Sequence, residues 1–116
     1  MTMTLSSLTV VYICAYNGLV DFEWDPDKAN ANFNKHDVLF SDAISVLEDQ
    51  FALTVRDPFS DEEERWITLG MDMLARLLVV VYMWRGETIR FISARPATPR
   101  ERQEYQSVGP TRHPPK

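Results

Sequence analysis

From Asp25 onward the apolar residues of the chain keep first a helical and then a strand period. Asp25-Pro26 is a helix start, an acceptor side chain followed by proline at the first helical position. Ala29 and Phe33 then recur four apart, with Lys28, Asn32, Lys35 and His36 on an adjoining polar stripe, and Asp37 is read as a left-handed stop. Ser41 is expected to cap a second short helix reaching about Glu48, with Ala43, Ile44, Val46 and Leu47 facing inward. The pattern changes at Ala52–Asp57, a short strand ended by Asp57-Pro58. The acidic run Asp61–Glu64 connects it to Arg65–Gly70, where Arg65, Ile67 and Leu69 share one face and Trp66 and Thr68 the other. Leu77–Trp84 is continuously apolar, as a central strand covered on both faces would be. A turn at Arg85-Gly86 leads into a last strand over Glu87–Arg95. Thr98-Pro99-Arg100-Glu101 is a capping box opening a helix to about Gln106, and the proline-rich tail from Ser107 is expected to fray. The predicted fold class is therefore α+β: two N-terminal helices, a meander of about four antiparallel strands with the helices packed on one face, and a C-terminal helix.

Composition adds bounds to this picture. The 116 residues, 45% apolar and 25% charged, suit one globular domain and exclude solenoid, collagenous and wholly disordered readings. The expected division is an N-terminal extension over 1–19, a single domain over 20–106 and a flexible tail over 107–116. Leu8–Tyr16 is too short for a membrane span, and no basic residue precedes Lys28, so no secretory signal is expected. That stretch is read as either an added strand or a disordered lead. Cys14 is the sole cysteine, which fits a reducing cytoplasm and leaves no disulfide or cysteine-based zinc site to assemble.

The net charge of −5 argues at first against a nucleic-acid partner, but position reverses that inference. Through Ser60 there are nine acidic and three basic residues; from Arg76 to the end there are eight basic and three acidic. The basic third holds Arg85, Arg90, Arg95, Arg100 and Arg102, and arginine matches phosphate geometry best. Two readings stand side by side, a phosphate-binding patch or a solvated surface paired with Glu101 and Glu104. Arg90 and Arg95 have opposite parity, so both reach one face only if the strand bulges or bends near Ser93 or at Pro96. Lys35-His36 can move protons and hold negative charge, or can simply favour the helix dipole. The run Asp61–Glu64 lacks the ligand spacing of a calcium loop and reads as a solvated turn. No phosphate-binding glycine loop, dinucleotide motif or nucleophile elbow is present, and no cofactor or metal site is expected.

Taken together, these segments resemble the BrnT family of type II toxins. The pattern runs from Phe22-Glu23-Trp24-Asp25-Pro26 with Lys28-Ala29 through Asn32, Lys35-His36, Glu64-Arg65, Gly70 and the strand Leu78–Tyr82. It closes on Ile92-Ser93-Ala94-Arg95, Ala97-Thr98, Glu101-Arg102 and Tyr105, covering about residues 22–106 in order. The resemblance implies a RelE-like fold and a cytoplasmic endoribonuclease toxin that needs no metal. It also implies a BrnA-like antitoxin with a ribbon-helix-helix domain, reaching operator DNA only through that antitoxin. On this basis Lys35, His36, Arg65 and Arg95 are the expected catalytic residues and Lys28 and Tyr105 expected RNA-binding ones, to which the basic patch adds Arg90. Two departures stand out: Asp37 replaces a usual glycine, and so does one residue within Met71–Arg76. A non-catalytic binding module, pairing with a protein or RNA through the same arginines, is the competing expectation.

Overall fold

Helix α1 forms where its capping signals place it. In the computed structural model, which describes residues 9–12, 20–60 and 64–108, α1 spans Pro26–His36. Asp25 Oδ1 accepts from the Asp27 amide at 3.0 Å, and the helix stops at Asp37 (φ 62°, ψ 33°), whose N–H donates to the Phe33 carbonyl. The inward stripe differs from expectation: Ala29 is half-buried, Phe33 is exposed, and the residue α1 buries is Asn32. The helix has too few apolar residues for an oily face, so a polar side chain takes that place. The next segment is a one-turn helix α2 (Phe40–Ala43) running into a 3-10 turn over Ile44–Glu48. Leu39, not Ser41, sits at its N-cap, with no side-chain bond, while Ala43, Ile44 and Val46 are buried as expected.

Strands β3 (Leu53–Arg56), β4 (Trp66–Met71), β5 (Leu77–Arg85) and β6 (Thr88–Pro96) make the antiparallel meander. Two further strands enlarge it. β2 (Asp21–Trp24) lies parallel to β6, and β1 (Thr9–Tyr12) lies antiparallel to β2, giving the order β1-β2-β6-β5-β4-β3. The backbone of Thr9–Tyr12 is thus the added strand. Cys14, the run 61–63 and the tail after Val108 lie outside the described residues.

Alternation along β5 divides the core in two. Leu78, Val80 and Tyr82 face α1 and α2 in a cluster with Phe22, Phe40 and Phe91, whose rings meet at 5.6 Å (Phe22–Phe91) and 5.8 Å (Phe40–Phe91). Leu77 and Val79 face the other way, toward Leu69 and Tyr105. Tyr105 belongs to α3 (Pro99–Val108), so the two N-terminal helices share one face of the sheet as expected and the C-terminal helix covers the other. The expected fraying from Ser107 does not start there, since α3 continues to Val108. Gly70 admits the 3-10 turn against the sheet: a Cβ there would lie 3.0 Å from Val46 Cγ1 and 3.1 Å from Ala52 Cβ. Positive φ in non-glycine residues occurs, among those described, at Asp37 (62°) and Ala75 (65°). These lie in the two segments where the resemblance led to an expectation of glycine.

Candidate functional site

Strand β2 pairs with β6 only over Thr88–Arg90, after which the chain turns away into α1 and leaves the rest of that β6 edge with no strand neighbour among the described residues. Asn32 occupies the vacated position. Its Nδ2 donates to the Ala94 carbonyl (2.9 Å) and the Val38 carbonyl (3.1 Å), and its Oδ1 accepts from the Ala94 amide (3.1 Å). The carboxamide pairs with Ala94 as a neighbouring strand would. One helical turn beyond Asn32 is His36, and one residue beyond Ala94 is Arg95.

His36 and Arg95 are consequently within electrostatic reach of each other. Burial, then the charges of Lys35 and Arg95, hold the His36 pKa below its ordinary value, so the imidazole is neutral at pH 7. Arg76 buttresses this end of α1, donating to the Asp37 carbonyl at 3.3 Å while Nε bonds the buried Asp72 carboxylate at 3.0 Å.

Arg95 is also held from the far side. Its Nη1 and Nη2 donate to Glu101 Oε1 and Oε2 at 3.0 and 2.9 Å, and Nη1 donates to the Pro96 carbonyl at 3.1 Å. Glu101 is the capping-box carboxylate expected at the start of α3, accepting from the Thr98 amide at 2.8 Å while Thr98 Oγ1 accepts from the Glu101 amide at 3.2 Å. The bond from Arg95, with lesser help from Thr98, lowers the Glu101 pKa to about 2, and the same pair raises that of Arg95. The fork is thus oriented, with Nε–H and one Nη2 hydrogen left over, among the described residues, for a further acceptor.

The bulge required to bring Arg90 and Arg95 to one face is present. Val81 pairs with Ser93 and Tyr82 with Phe91, so Ile92 is the extra residue. Arg90 opposite Met83 and Arg95 opposite Val79 then share the face turned away from α1. They stand four β5 residues apart, about 13 Å. Arg90 and Arg85 share Glu23 at 3.7 and 4.0 Å.

Other expected residues fall elsewhere. Arg65 precedes β4, four residues before Leu69, which lies level with Arg95, and two strands away, about 16 Å from Arg95. It is exposed, lies level with Arg90, and cannot share a phosphate with Arg95. Lys28 is exposed on the Lys35 side of α1, seven residues upstream. Tyr105 is a correction: it is buried in the second core cluster and its hydroxyl donates to Asp49 Oδ2 at 2.6 Å, so it ties α3 to the sheet instead of facing RNA. Asp49 also accepts from the Phe51 and Met71 amides at 2.9 and 2.8 Å. Among the described residues no three His, Cys, Asp or Glu side chains gather as metal ligands, and no helix is long and apolar enough to cross a membrane.

Sequence reasoning placed Asn32 on the polar stripe and in the family pattern but missed its burial and its bonds to β6, and missed half the role of Glu101. Asn32 carried a faint signal, being the one of the three alternating asparagines in α1 that falls three residues after Ala29. The contact from Glu101 to Arg95 had none beyond the capping pattern.

Comparison with known proteins agrees with this architecture. No curated protein matches the chain. A crystal structure of the ribonuclease toxin BrnT from Brucella abortus is similar in fold, with a TM-score of 0.50 and 23% sequence identity over 65% of this chain and 92% of that one. The family model described as the ribonuclease toxin BrnT of type II toxin–antitoxin systems matches residues 24–101. That span is more than half of the chain and includes α1, the meander and the capping box, and the chain belongs to the BrnT family of type II ribonuclease toxins.

Proposed function

We propose that this chain is a metal-independent endoribonuclease whose reaction centre is the junction of the α1 C-terminus with β6. The observation that carries the reading is that the α1–β6 register puts a neutral imidazole, His36, within electrostatic reach of an oriented guanidinium, Arg95, with Lys35 next to it in sequence. Cleavage through the 2′-hydroxyl needs a base for that proton, cations around the pentacoordinate phosphorus and an acid for the leaving oxygen. Neutral His36 takes the 2′-hydroxyl proton as the 2′ oxygen bonds to phosphorus. Arg95, through its uncommitted N–H groups, and Lys35 meet the charge that develops on the phosphoryl oxygens. The bond to the 5′ oxygen breaks, and a proton from Lys35 or the newly formed imidazolium completes the 5′-hydroxyl. The products are a 2′,3′-cyclic phosphate and a free 5′-hydroxyl. Two cations, Arg95 and Lys35, supply charge stabilisation that a metal would otherwise give, which supports a reaction without one.

Arg90 and Arg65, level with each other and about 13 Å along the strands from Arg95, would hold the RNA backbone further along the same face, and Lys28 would do so along α1. Membership of a type II family carries an antitoxin partner, and a BrnA-type ribbon-helix-helix protein is the proposed one. The competing reading, a non-catalytic binding module, is favoured by one feature: the Glu101 carboxylate already neutralises Arg95. Incubating the purified protein with RNA in chelator separates the two. The enzyme reading expects cleavage with cyclic-phosphate ends, abolished in Arg95→Ala and His36→Ala; no cleavage by the parent, or equal cleavage by all three, refutes it.

A further inference from the structure

Within α1, Asn32 is the residue whose burial apolar packing cannot explain. A carboxamide removed from water is tolerated only when its donors and acceptor are met, and here each is met by the backbone of another segment. Two of the three bonds go to one residue, Ala94, in the donor–acceptor pattern of a β-ladder. The third goes to Val38, just past the left-handed exit of α1. Apolar contacts alone would let a helix slide along a strand, because they have no direction. Paired hydrogen bonds to both polar atoms of one residue fix the axial position of α1 against β6 to within bond tolerance. The two groups that this register brings together are those the proposed reaction uses, one turn and one residue away.

We infer that Asn32 is a positioning residue of the cleavage site, its carboxamide setting His36 against Arg95. The inference rests on the proposed reading of that site, and its test is built so that the two can fail separately. The first readout is the NMR titration of the His36 imidazole, which needs no substrate. Burial, then the charges of Lys35 on its own helix and Arg95 on β6, hold its midpoint low, so the midpoint reports whether α1 stays seated against β6. The second readout is the division of the RNA-cleavage loss between kcat and KM.

In Asn32→Ser the His36 midpoint is expected to move up toward its ordinary value. At the same time kcat should fall roughly 10- to 100-fold with KM within about threefold, as expected when a reacting group is displaced by about 1 Å. Tyr105→Phe, which removes the bond from α3 to Asp49 and leaves the Asn32 bonds to Ala94 and Val38 in place, serves as the control for plain destabilisation and should move neither quantity. If Asn32→Ser does not fold, Asn32→Asp is judged by the same kcat criterion, since it keeps the acceptor for the Ala94 amide but loses both donors. An unchanged His36 titration with kcat within threefold of the parent overturns the inference, as does an equal shift in Tyr105→Phe. If the parent cleaves no RNA, the proposed function fails, and the His36 titration alone decides the positioning role of Asn32.

Discussion

Replacing Glu101 with glutamine separates the two tasks of that carboxylate. Glutamine keeps an oxygen for the Thr98 amide, so most of the capping box survives, but it cannot form the charged two-bond pair with Arg95. The Glu101 pKa lies at about 2 in the fold against an ordinary 4.5, a difference worth roughly 3 kcal/mol before solvent screening is counted. Arg95 and Glu101 retain 38% and 25% of their side-chain exposure, and solvent screening reduces the expected stabilisation to about 1–2 kcal/mol. The sign follows from linkage. A carboxylate with a depressed folded-state pKa stabilises the fold fully above its unfolded value and loses that contribution as pH falls through the folded one. Denaturant unfolding of Glu101→Gln should therefore show a loss of about 1–2 kcal/mol at pH 7 that shrinks between about pH 4.5 and pH 2. Equal stability of parent and variant at pH 7, or a gap that stays constant down to pH 2, would refute the reasoning.

Three further outcomes follow from particular residues. Ala75→Gly should stabilise the protein by about 0.5–1 kcal/mol, because Ala75 sits at φ 65° and relief of that strain exceeds the added chain entropy; an unchanged or lower unfolding midpoint contradicts this. Tyr105→Phe should cost about 1–2 kcal/mol in unfolding free energy while leaving cleavage per folded molecule unchanged, and a fall in cleavage at intact stability would return Tyr105 to the RNA surface. The pH profile of kcat/KM should have an acidic limb with its midpoint below the ordinary histidine value, and that limb should vanish in His36→Gln; a limb that persists assigns the base elsewhere.

The elements governed by local chemistry were legible in the sequence. Asp25-Pro26, the left-handed Asp37, the meander and the Thr98–Glu101 box all depend on residues within a few positions of one another. The parity conflict between Arg90 and Arg95 also carried real information, since only an irregular strand reconciles it, and Ile92 supplies the bulge. The rest depended on distant partners. Nothing in Asp21–Trp24 reveals that it pairs in parallel with residues beginning at Thr88, because no hairpin signal marks a parallel neighbour. Ser41 had the chemistry of a cap, but tertiary packing of Phe40, Ala43 and Val46 set the start of the helix two residues earlier, with Leu39 at the cap. Tyr105 was drawn to the site by its place in the family pattern, whereas α3 crosses the opposite face and spends its hydroxyl on Asp49. Asn32 shows the same limit from the other side. Its polarity suggested solvent, and only the edge of β6 left vacant by β2 explains why it is inside.

The account stands on His36 and Arg95 acting on one phosphate. A double-mutant cycle on RNA cleavage in chelator, with His36→Ala, Arg95→Ala and the combined variant, measures that directly. The prediction is strong non-additivity: each single variant should lose roughly 10²-fold or more in kcat, and the double variant little beyond either. Losses that multiply as though the two residues were independent would contradict a shared reaction centre at the junction of α1 and β6.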